Sequence, residues 1–119
     1  MKILIVDDTK LSRAMILKRI PESVKNDALI FQAVNGLEGL ELYREIKPDI
    51  VFLDLTMPVM DGFEALEKIR AFDRDARVFI ITADIQAKAS EKVLALGAAG
   101  IEKKPVGGNR LAEILATLN

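Results

Sequence analysis

Carboxylates follow two apolar runs of this chain, directly where each run ends. Asp7 and Asp8 follow the run 3–6, and Asp54 follows the run 50–53. Apolar runs of this length, bounded by turn residues, are typical of strands buried on both faces of a parallel sheet. Ligands of open parallel sheets bind at the carboxyl ends of the strands. We therefore expect the three carboxylates to share one edge of the sheet.

Thr82 and Lys104 add two more polar groups at the same predicted edge. Thr82 closes the apolar run 78–81, and Lys104 follows a weaker predicted strand over 98–102. Neighbouring carboxylates repel one another unless a hard cation lies among them, and Mg²⁺, with Mn²⁺ as an alternative, prefers oxygen ligands. A carboxylate beside a metal, an ammonium group and a hydroxyl is placed to attack a phosphoryl group. The covalent product would be an aspartyl phosphate.

The predicted elements alternate between strand and helix along the whole chain. A further strand is predicted over 28–34, and helices are predicted over 11–20, 36–46, a segment that starts after Asp61, 85–96 and 111–118. A strand followed by a helix, five times over, indicates an α/β fold. Its parallel sheet would carry helices on both faces and right-handed crossovers.

Several residues mark the expected ends of these helices. Thr9 or Asp8 could cap the first helix and Pro21 would end it, whereas Asp61 would cap a later helix. Gly97 is expected just beyond the helix over 85–96, in the position that favours glycine. Gly39, inside a predicted helix, suggests close packing between that helix and the sheet.

Composition limits the chemistry that the chain can perform. It has 119 residues, a formal net charge of -1, no cysteine and no histidine. This length predicts one domain over 1–119. Disulfides, thiolate zinc sites, thiol nucleophiles and the usual general base are therefore excluded. Nothing indicates a nucleic-acid surface, a membrane span or a signal peptide, so we expect a cytoplasmic protein.

Four motifs, taken together in their order and spacing, carry a resemblance to a known family. They are the segments 3–8, 54–62, 80–83 and 97–105, which read ILIVDD, DLTMPVMDG, IITA and GAAGIEKKP. Over essentially all of its length the chain resembles the CheY-like receiver domains of bacterial response regulators in two-component signalling. The resemblance implies a flavodoxin-like (βα)5 fold, a doubly wound parallel sheet with strand order 2-1-3-4-5.

The resemblance also implies roles for the acidic residues. Asp54 would accept phosphate from a phosphohistidine on a sensor histidine kinase or a histidine phosphotransfer protein. Asp8, Asp54 and the backbone carbonyl of Thr56 would hold Mg²⁺ directly, and Asp7 would act through water. On this reading the chain is a phosphoacceptor signalling domain that catalyses only its own phosphorylation and dephosphorylation.

The other motif residues would serve the phosphoryl group or the switch that reads it. By resemblance, Lys104 would contact the phosphoryl group and Thr82 would move towards it. Ala83 would supply the small residue that leaves room for the phosphate. The peptide bond between Lys104 and Pro105 would be cis.

Two positions bear on the readout and on the lifetime of the phosphoryl group. Ile101 stands where family members often carry Tyr or Phe, so an aromatic rotamer switch is not available, although an aliphatic side chain can still repack. Thr56 and Asp84 stand at the positions that flank the path of the hydrolytic water in the family. We hypothesise that Asp84 orients or repels that water and so sets the phosphoryl lifetime.

Three other functions are weighed against a phosphate-accepting receiver. A haloacid-dehalogenase-like phosphatase would need a second carboxylate two residues after Asp54, where Thr56 stands. An FMN-binding flavodoxin would need a Ser/Thr/Gly-rich loop after the first strand, where Asp7 and Asp8 would repel a phosphate. An interaction module that is never phosphorylated would be expected to lack an acidic residue, Thr82 or Lys104, and none is missing.

The expected partners follow from the resemblance. The output surface would combine the helix over 85–96, the strand around Ile101 and the helix over 111–118. Lys88, Lys92 and Lys103 would lie on it, and it would bind an unidentified protein. We expect a monomer, with a phosphorylation-dependent dimer as the alternative. A stand-alone regulator, as in chemotaxis or a phosphorelay, is expected; the alternative is a receiver cut from a longer transcriptional or enzymatic regulator.

Overall fold

The structure, a computed structural model, describes residues 1–83 and 85–118. Its strands are β1 (Lys2–Val6), β2 (Leu29–Ala33), β3 (Ile50–Leu53), β4 (Val78–Thr82) and β5 (Gly100–Lys103). They form one parallel sheet in the order β2-β1-β3-β4-β5. This confirms the predicted flavodoxin-like fold and its strand order.

The helices cover both faces of this sheet. They are α1 (Lys10–Arg19), α2 (Glu22–Lys25), α3 (Gly36–Ile46), α4 (Gly62–Phe72), α5 (Ala87–Ala95) and α6 (Gly108–Ala116). The short helix α2 was not predicted, because a single turn cannot display a helical period of apolar residues. The other helices lie where the apolar periodicity placed them, with shifts at their ends.

The strand β5 begins and ends later than predicted. It runs from Gly100 to Lys103 instead of over 98–102, and its residues are half-buried or exposed. It lies at one edge of the sheet and pairs with a single neighbouring strand, β4. Its burial pattern is therefore weaker than that of the central strands, which explains why the sequence located it poorly.

Successive strand residues belong to two separate core layers, one on each face of the sheet, because side chains alternate across a strand. On one side, Leu4 and Val6 face the layer formed with α3, α4 and α5. On the other side, Ile3 and Ile5 face the layer formed with α1 and α6. The buried helical residues are Leu40, Leu66, Ile69 and Val93 in the first layer, and Ile16, Ile20, Leu111, Ile114 and Leu115 in the second.

The predicted helix ends and the predicted close approach are present. Thr9 accepts a hydrogen bond from the backbone N–H of Ser12, and Asp61 caps α4 in the same way. Gly97 has φ +98°, the left-handed conformation that glycine adopts without strain. A Cβ atom on Gly39 would lie 2.9 Å from both methyl groups of Val6, so α3 packs directly against β1 there.

No helix within residues 1–83 and 85–118 has the length and apolar character needed to cross a bilayer.

A buried tyrosine ties α3 to the end of α4. Tyr43 is 1% exposed, and its hydroxyl donates a 2.7 Å hydrogen bond to Oδ2 of Asp73, the residue that follows α4. Burial, with this bond to a carboxylate, raises the pKa of Tyr43. The same hydrogen bond lowers the pKa of Asp73 below its ordinary value. The bond therefore favours the ionised carboxylate in the folded state.

We expect Tyr43→Phe to lower the free energy of unfolding at pH 7 by about 1–2 kcal/mol, since it removes a hydrogen bond to a charged group. A carboxyl whose folded pKa is lowered stabilises the fold above its unfolded pKa of about 3.9 and loses this contribution as the pH falls. The deficit should therefore shrink in urea unfolding series taken from pH 7 to pH 3.5. As a control, Tyr43→Phe is also made in the Asp73→Asn variant, where it should lower the free energy of unfolding by less at pH 7. A loss of stability that depends neither on pH nor on Asp73 would show that this hydrogen bond does not stabilise the fold.

Candidate functional site

Backbone hydrogen bonds beyond the strand ends hold the chemically active residues in register. The N–H of Asp54 donates to the carbonyl of Val6 at 3.0 Å, and the N–H of Lys104 donates to the carbonyl of Thr82 at 2.8 Å. The parallel ladders thus continue by one residue after β3 and β5. This fixes the backbone from which each functional side chain projects.

Three carboxylates meet at this edge, as the sequence predicted. Asp7, Asp8 and Asp54 each offer an oxygen that lies within 4.8 Å of the others. Asp7 and Asp54 are buried, and Asp8 is exposed. Two of the three negative charges are therefore largely removed from water, which is costly unless opposite charge lies close by.

The Lys104 ammonium group supplies part of that opposite charge. Its Nζ lies 2.6 Å from Oδ2 of Asp7 and 3.6 Å from Oδ1 of Asp54. The lysine is thus hydrogen-bonded to Asp7 and only near Asp54, a preference that the sequence did not reveal. From this position the ammonium group is within reach of any group added to Asp54.

The surroundings of Asp54 disfavour its ionised form. Burial raises the pKa of this carboxyl above its ordinary value, the Lys104 ammonium opposes the rise, and the negative charge of Asp7 adds to it. The pKa is raised mainly because burial removes water from the carboxylate, and the attraction of Lys104 does not fully compensate for that loss. A further cation would lower that pKa and relieve the repulsion.

The donor set fits a hard divalent cation. Oδ1 of Asp7 accepts hydrogen bonds from the backbone N–H and the hydroxyl of Thr9, while Oδ2 accepts from Lys104. Each of the three carboxylates also offers an oxygen within 4.8 Å of the others. Carboxylate oxygens are the ligands that Mg²⁺ prefers, so the cluster fits such a cation.

Other predicted residues line a pocket beside Asp54. The pocket has a volume of about 240 Å³, and Thr56, Thr82, Ala83 and Lys104 border it. Thr82 is buried, whereas Thr56 and Ala83 are exposed. A group attached to the Asp54 carboxylate would therefore meet the threonine hydroxyl, a small alanine and the lysine.

The remaining predicted positions lie around this pocket or beyond the described residues. The peptide bond between Lys104 and Pro105 is cis, as the resemblance implied. Ile101 is half-buried on β5 and packs against the core layer shared with α3, α4 and α5. Asp84, for which we hypothesised a role in phosphoryl lifetime, lies outside the described residues.

Sequence reasoning missed the side chains of α1 that support the acidic residues. Arg13 donates from Nη1 to the backbone carbonyl of Asp7 at 2.7 Å. Ser12 lies 3.4 Å from the Lys104 ammonium nitrogen, which donates to its hydroxyl. Both residues lie within five positions of Asp8, but a polar residue near the start of a helix carries no signal of a partner 92 residues away.

Comparison with known proteins places the chain in a family. The chain belongs to the response regulator receiver domain family, whose model matches residues 3–116. It is therefore a receiver domain of two-component signalling, similar to CheY proteins.

Curated relatives and solved structures agree with this assignment. The chain is 41% identical over 115 residues to the chemotaxis protein CheY of Listeria monocytogenes, covering 97% of this chain and 95% of the relative. It is 38% identical over 120 residues to CheY of Bacillus subtilis, covering 99% and 98% respectively. CheY in the CheX-CheY-BeF3-Mg²⁺ complex of Borrelia burgdorferi has a TM-score of 0.88 at 29% identity, covering 98% of this chain and 87% of that one.

Gly62, the first residue of α4, packs directly against the backbone of Asp54 and Leu55 at the end of β3. A Cβ atom on Gly62 would lie 2.1 Å from the main-chain oxygen of Asp54 and 2.7 Å from Cα of Leu55. We expect Gly62→Ala to lower the free energy of unfolding by about 1–3 kcal/mol, because backbone must shift to admit the methyl group. Urea unfolding measures this change.

Gly108→Ala is the matched control. Gly108 is the first residue of α6 as Gly62 is the first residue of α4, but a Cβ atom there would meet only the main-chain oxygen of Arg19 at 3.6 Å, an ordinary contact. Alanine at such a position is expected to be neutral or to stabilise by up to about 1 kcal/mol. Equal effects of the two substitutions would show that the close approach at Gly62 has no energetic consequence.

Proposed function

We propose that Asp54 accepts a phosphoryl group from a phosphohistidine on a sensor histidine kinase or a histidine phosphotransfer protein, in a Mg²⁺-dependent reaction. The observation that carries this proposal is the buried Asp54 carboxylate with two further carboxylates beside it and the Lys104 ammonium group 3.6 Å away. Such a site concentrates cation-binding and phosphoryl-binding groups around one nucleophile.

The chain supplies both the nucleophile and a cationic side chain for the transfer. A carboxylate oxygen of Asp54 attacks phosphorus in line with the leaving imidazole, the P–N bond breaks and its electron pair stays on the imidazole nitrogen, which takes a proton. The product is an acyl phosphate on Asp54. Lys104 neutralises charge on the equatorial oxygens of the phosphoryl group as they pass through the transition state.

The metal would be held by Asp8, Asp54 and the backbone carbonyl of Thr56, with Asp7 acting through water. When bound, Mg²⁺ neutralises the negative charge of the carboxylates and of the incoming phosphoryl oxygens. Asp7 in turn holds Lys104 at 2.6 Å and is itself fixed by Thr9, so it orients the lysine instead of competing for the metal.

A phosphoryl group on Asp54 would be read through Thr82. In the proposed switch, the Thr82 hydroxyl moves towards the phosphoryl oxygens through the space that Ala83 leaves open, and the loop and helix after β4 follow in a two-state equilibrium. Ile101 then repacks as an aliphatic side chain without an aromatic rotamer change.

The proposed output surface is formed by α5, β5 and α6 and binds a protein partner. Lys88, Lys92 and Lys103 are exposed on it. Lys92 also lies over the ring of Phe63 on α4, with Nζ 4.4 Å from the ring centroid, so this part of the surface contacts the neighbouring helix. The Borrelia relative was solved bound to CheX, which supports a protein target here as well.

We expect Mg²⁺ to raise the thermal stability of the protein, because a ligand that binds only the folded state adds about 2.7 kcal/mol at 100 times its Kd. Asp8→Asn should abolish most of this gain in thermal unfolding with and without Mg²⁺, and a chelator should reverse it. Asp27→Asn, at an exposed acid outside the site, is the control and should keep the full gain. An equal gain in both variants would place the bound metal elsewhere.

We expect a small phosphodonor to add one phosphoryl group to the wild-type protein when Mg²⁺ is present. Intact mass spectrometry measures the adduct, and Asp54→Asn should abolish it because the amide cannot act as the nucleophile. Lys104→Met should slow its formation by at least about tenfold, since one interaction with the transferring oxygens is lost. Asp27→Asn is again the control.

The other outcomes point to the alternative functions. A folded wild-type protein that gives no adduct with Mg²⁺ present would favour an interaction module that works without phosphorylation. An adduct that persists in Asp54→Asn would move the acceptor to another residue. Continuous release of free phosphate without an adduct would favour a phosphatase.

A further inference from the structure

A cavity of about 250 Å³ lies on the opposite side of Lys104 from the pocket beside Asp54. One wall is a single face of α1, formed by Ser12, Met15, Ile16 and Arg19, whose spacing brings them onto neighbouring turns. The wall is apolar at its centre and polar at its two ends. This pattern is common in small-molecule sites, where a few polar groups fix the orientation of an apolar ligand.

The other wall connects the cavity with the residues of the proposed switch. It consists of Ile81 and residues 104–106. Ile81 faces the cavity while the next residue, Thr82, borders the pocket beside Asp54, as the alternation of a strand requires. Lys104 borders both spaces, and its ammonium group is hydrogen-bonded to Asp7.

The charges around the cavity favour an anion. Two of its lining side chains, Arg19 and Lys104, are cationic, and none of the described lining residues is acidic. Lys104 is already paired with Asp7. Arg19 donates one hydrogen bond, to the carbonyl of Val106 at 3.1 Å, and no carboxylate of the described residues lies within 4.0 Å of it. Since a guanidinium group has five N–H donors, Arg19 can bind a carboxylate in bidentate fashion.

We propose that this cavity is a binding site for a small apolar carboxylate. The apolar part of the ligand lies against Met15, Ile16 and Val106, and its carboxylate accepts hydrogen bonds from Arg19. An apolar cavity of about 150 Å³ is enough to bind benzene, so the volume here admits one aromatic ring or a short alkyl chain with its acid group. This site is distinct from the carboxylate cluster and requires no metal.

Occupation of the cavity has a consequence for Lys104. The ligand packs against the wall that contains this lysine while its ammonium group is hydrogen-bonded to Asp7. A phosphoryl group on Asp54 would instead draw the ammonium group towards Asp54. The ligand is therefore expected to slow phosphorylation, a consequence that rests on the proposed function, whereas the binding measurement below does not.

The test is a titration of the ¹⁵N-labelled full chain with benzoate, followed by the amide signals in NMR spectra. Saturable shifts are expected for Ser12, Ile16, Ile81 and Val106, which surround the cavity. Benzyl alcohol, which has the same ring without the charge, should bind at least about tenfold more weakly, because about 1.4 kcal/mol of charge-assisted hydrogen bonding is missing.

Variants of the lining residues test separately whether binding depends on the charge of Arg19 and on the open volume of the cavity. Arg19→Met should weaken benzoate about tenfold and leave benzyl alcohol unchanged, whereas Lys18→Met, at the exposed neighbour on α1, should change neither. Met15→Trp should fill the cavity and abolish binding of both compounds, with thermal unfolding to verify that the variant folds. If Met15→Trp does not fold, the two cation variants alone decide the outcome.

Three results would overturn the proposal. The first is shifts that do not saturate or that spread over the surface, the second is equal affinity for benzoate and benzyl alcohol, and the third is an equal loss of benzoate affinity in Arg19→Met and Lys18→Met. Each is independent of Asp54. Loss of the adduct on Asp54 with benzoate binding intact would refute the proposed function and leave this site standing.

Discussion

The charge balance around Lys104 is the constraint on which the functional edge of this protein depends. Among the residues that the structure describes, three carboxylates lie together there with one ammonium group, which leaves an excess of two negative charges when all are ionised. Burying an unbalanced charge costs several kcal/mol, so this excess favours the binding of a further cation beside the lysine. On the proposed function, that cation is Mg²⁺, and together with Lys104 it would also neutralise the charge of an incoming phosphoryl group.

The parallel sheet is what keeps these charges at fixed distances. Asp54 and Lys104 sit one residue beyond strands whose ladders continue through their own N–H groups. A shift of either backbone would break a hydrogen bond to the neighbouring strand. Close packing of Gly62 against the carbonyl of Asp54 adds a steric limit from the helix side. The site is therefore rigid in its backbone, and the freedom that remains belongs to side chains such as those of Lys104 and Thr82.

The same strand residues connect the two faces of the molecule. Thr82 borders the pocket beside Asp54, and Ile81 borders the cavity under α1, because neighbouring residues of a strand face opposite sides. Lys104 borders both spaces. A displacement of this lysine therefore alters both sides of the sheet at once. On the proposed function, the phosphorylation state and the cavity are coupled through this one side chain.

The sequence by itself determined the sheet, its strand order through the family resemblance, most helix ends and the meeting of Asp7, Asp8 and Asp54 at one edge. These features follow from local patterns: an apolar run that ends in a carboxylate, a capping residue such as Asp61, a glycine at a crowded position such as Gly39. Only the tertiary structure decided that Lys104 bonds to Asp7 and not to Asp54, that Ser12 supports it, and that a cavity lies behind it. These depend on differences of about an ångström between partners as far as 97 residues apart, and no local pattern of residue types encodes such distances.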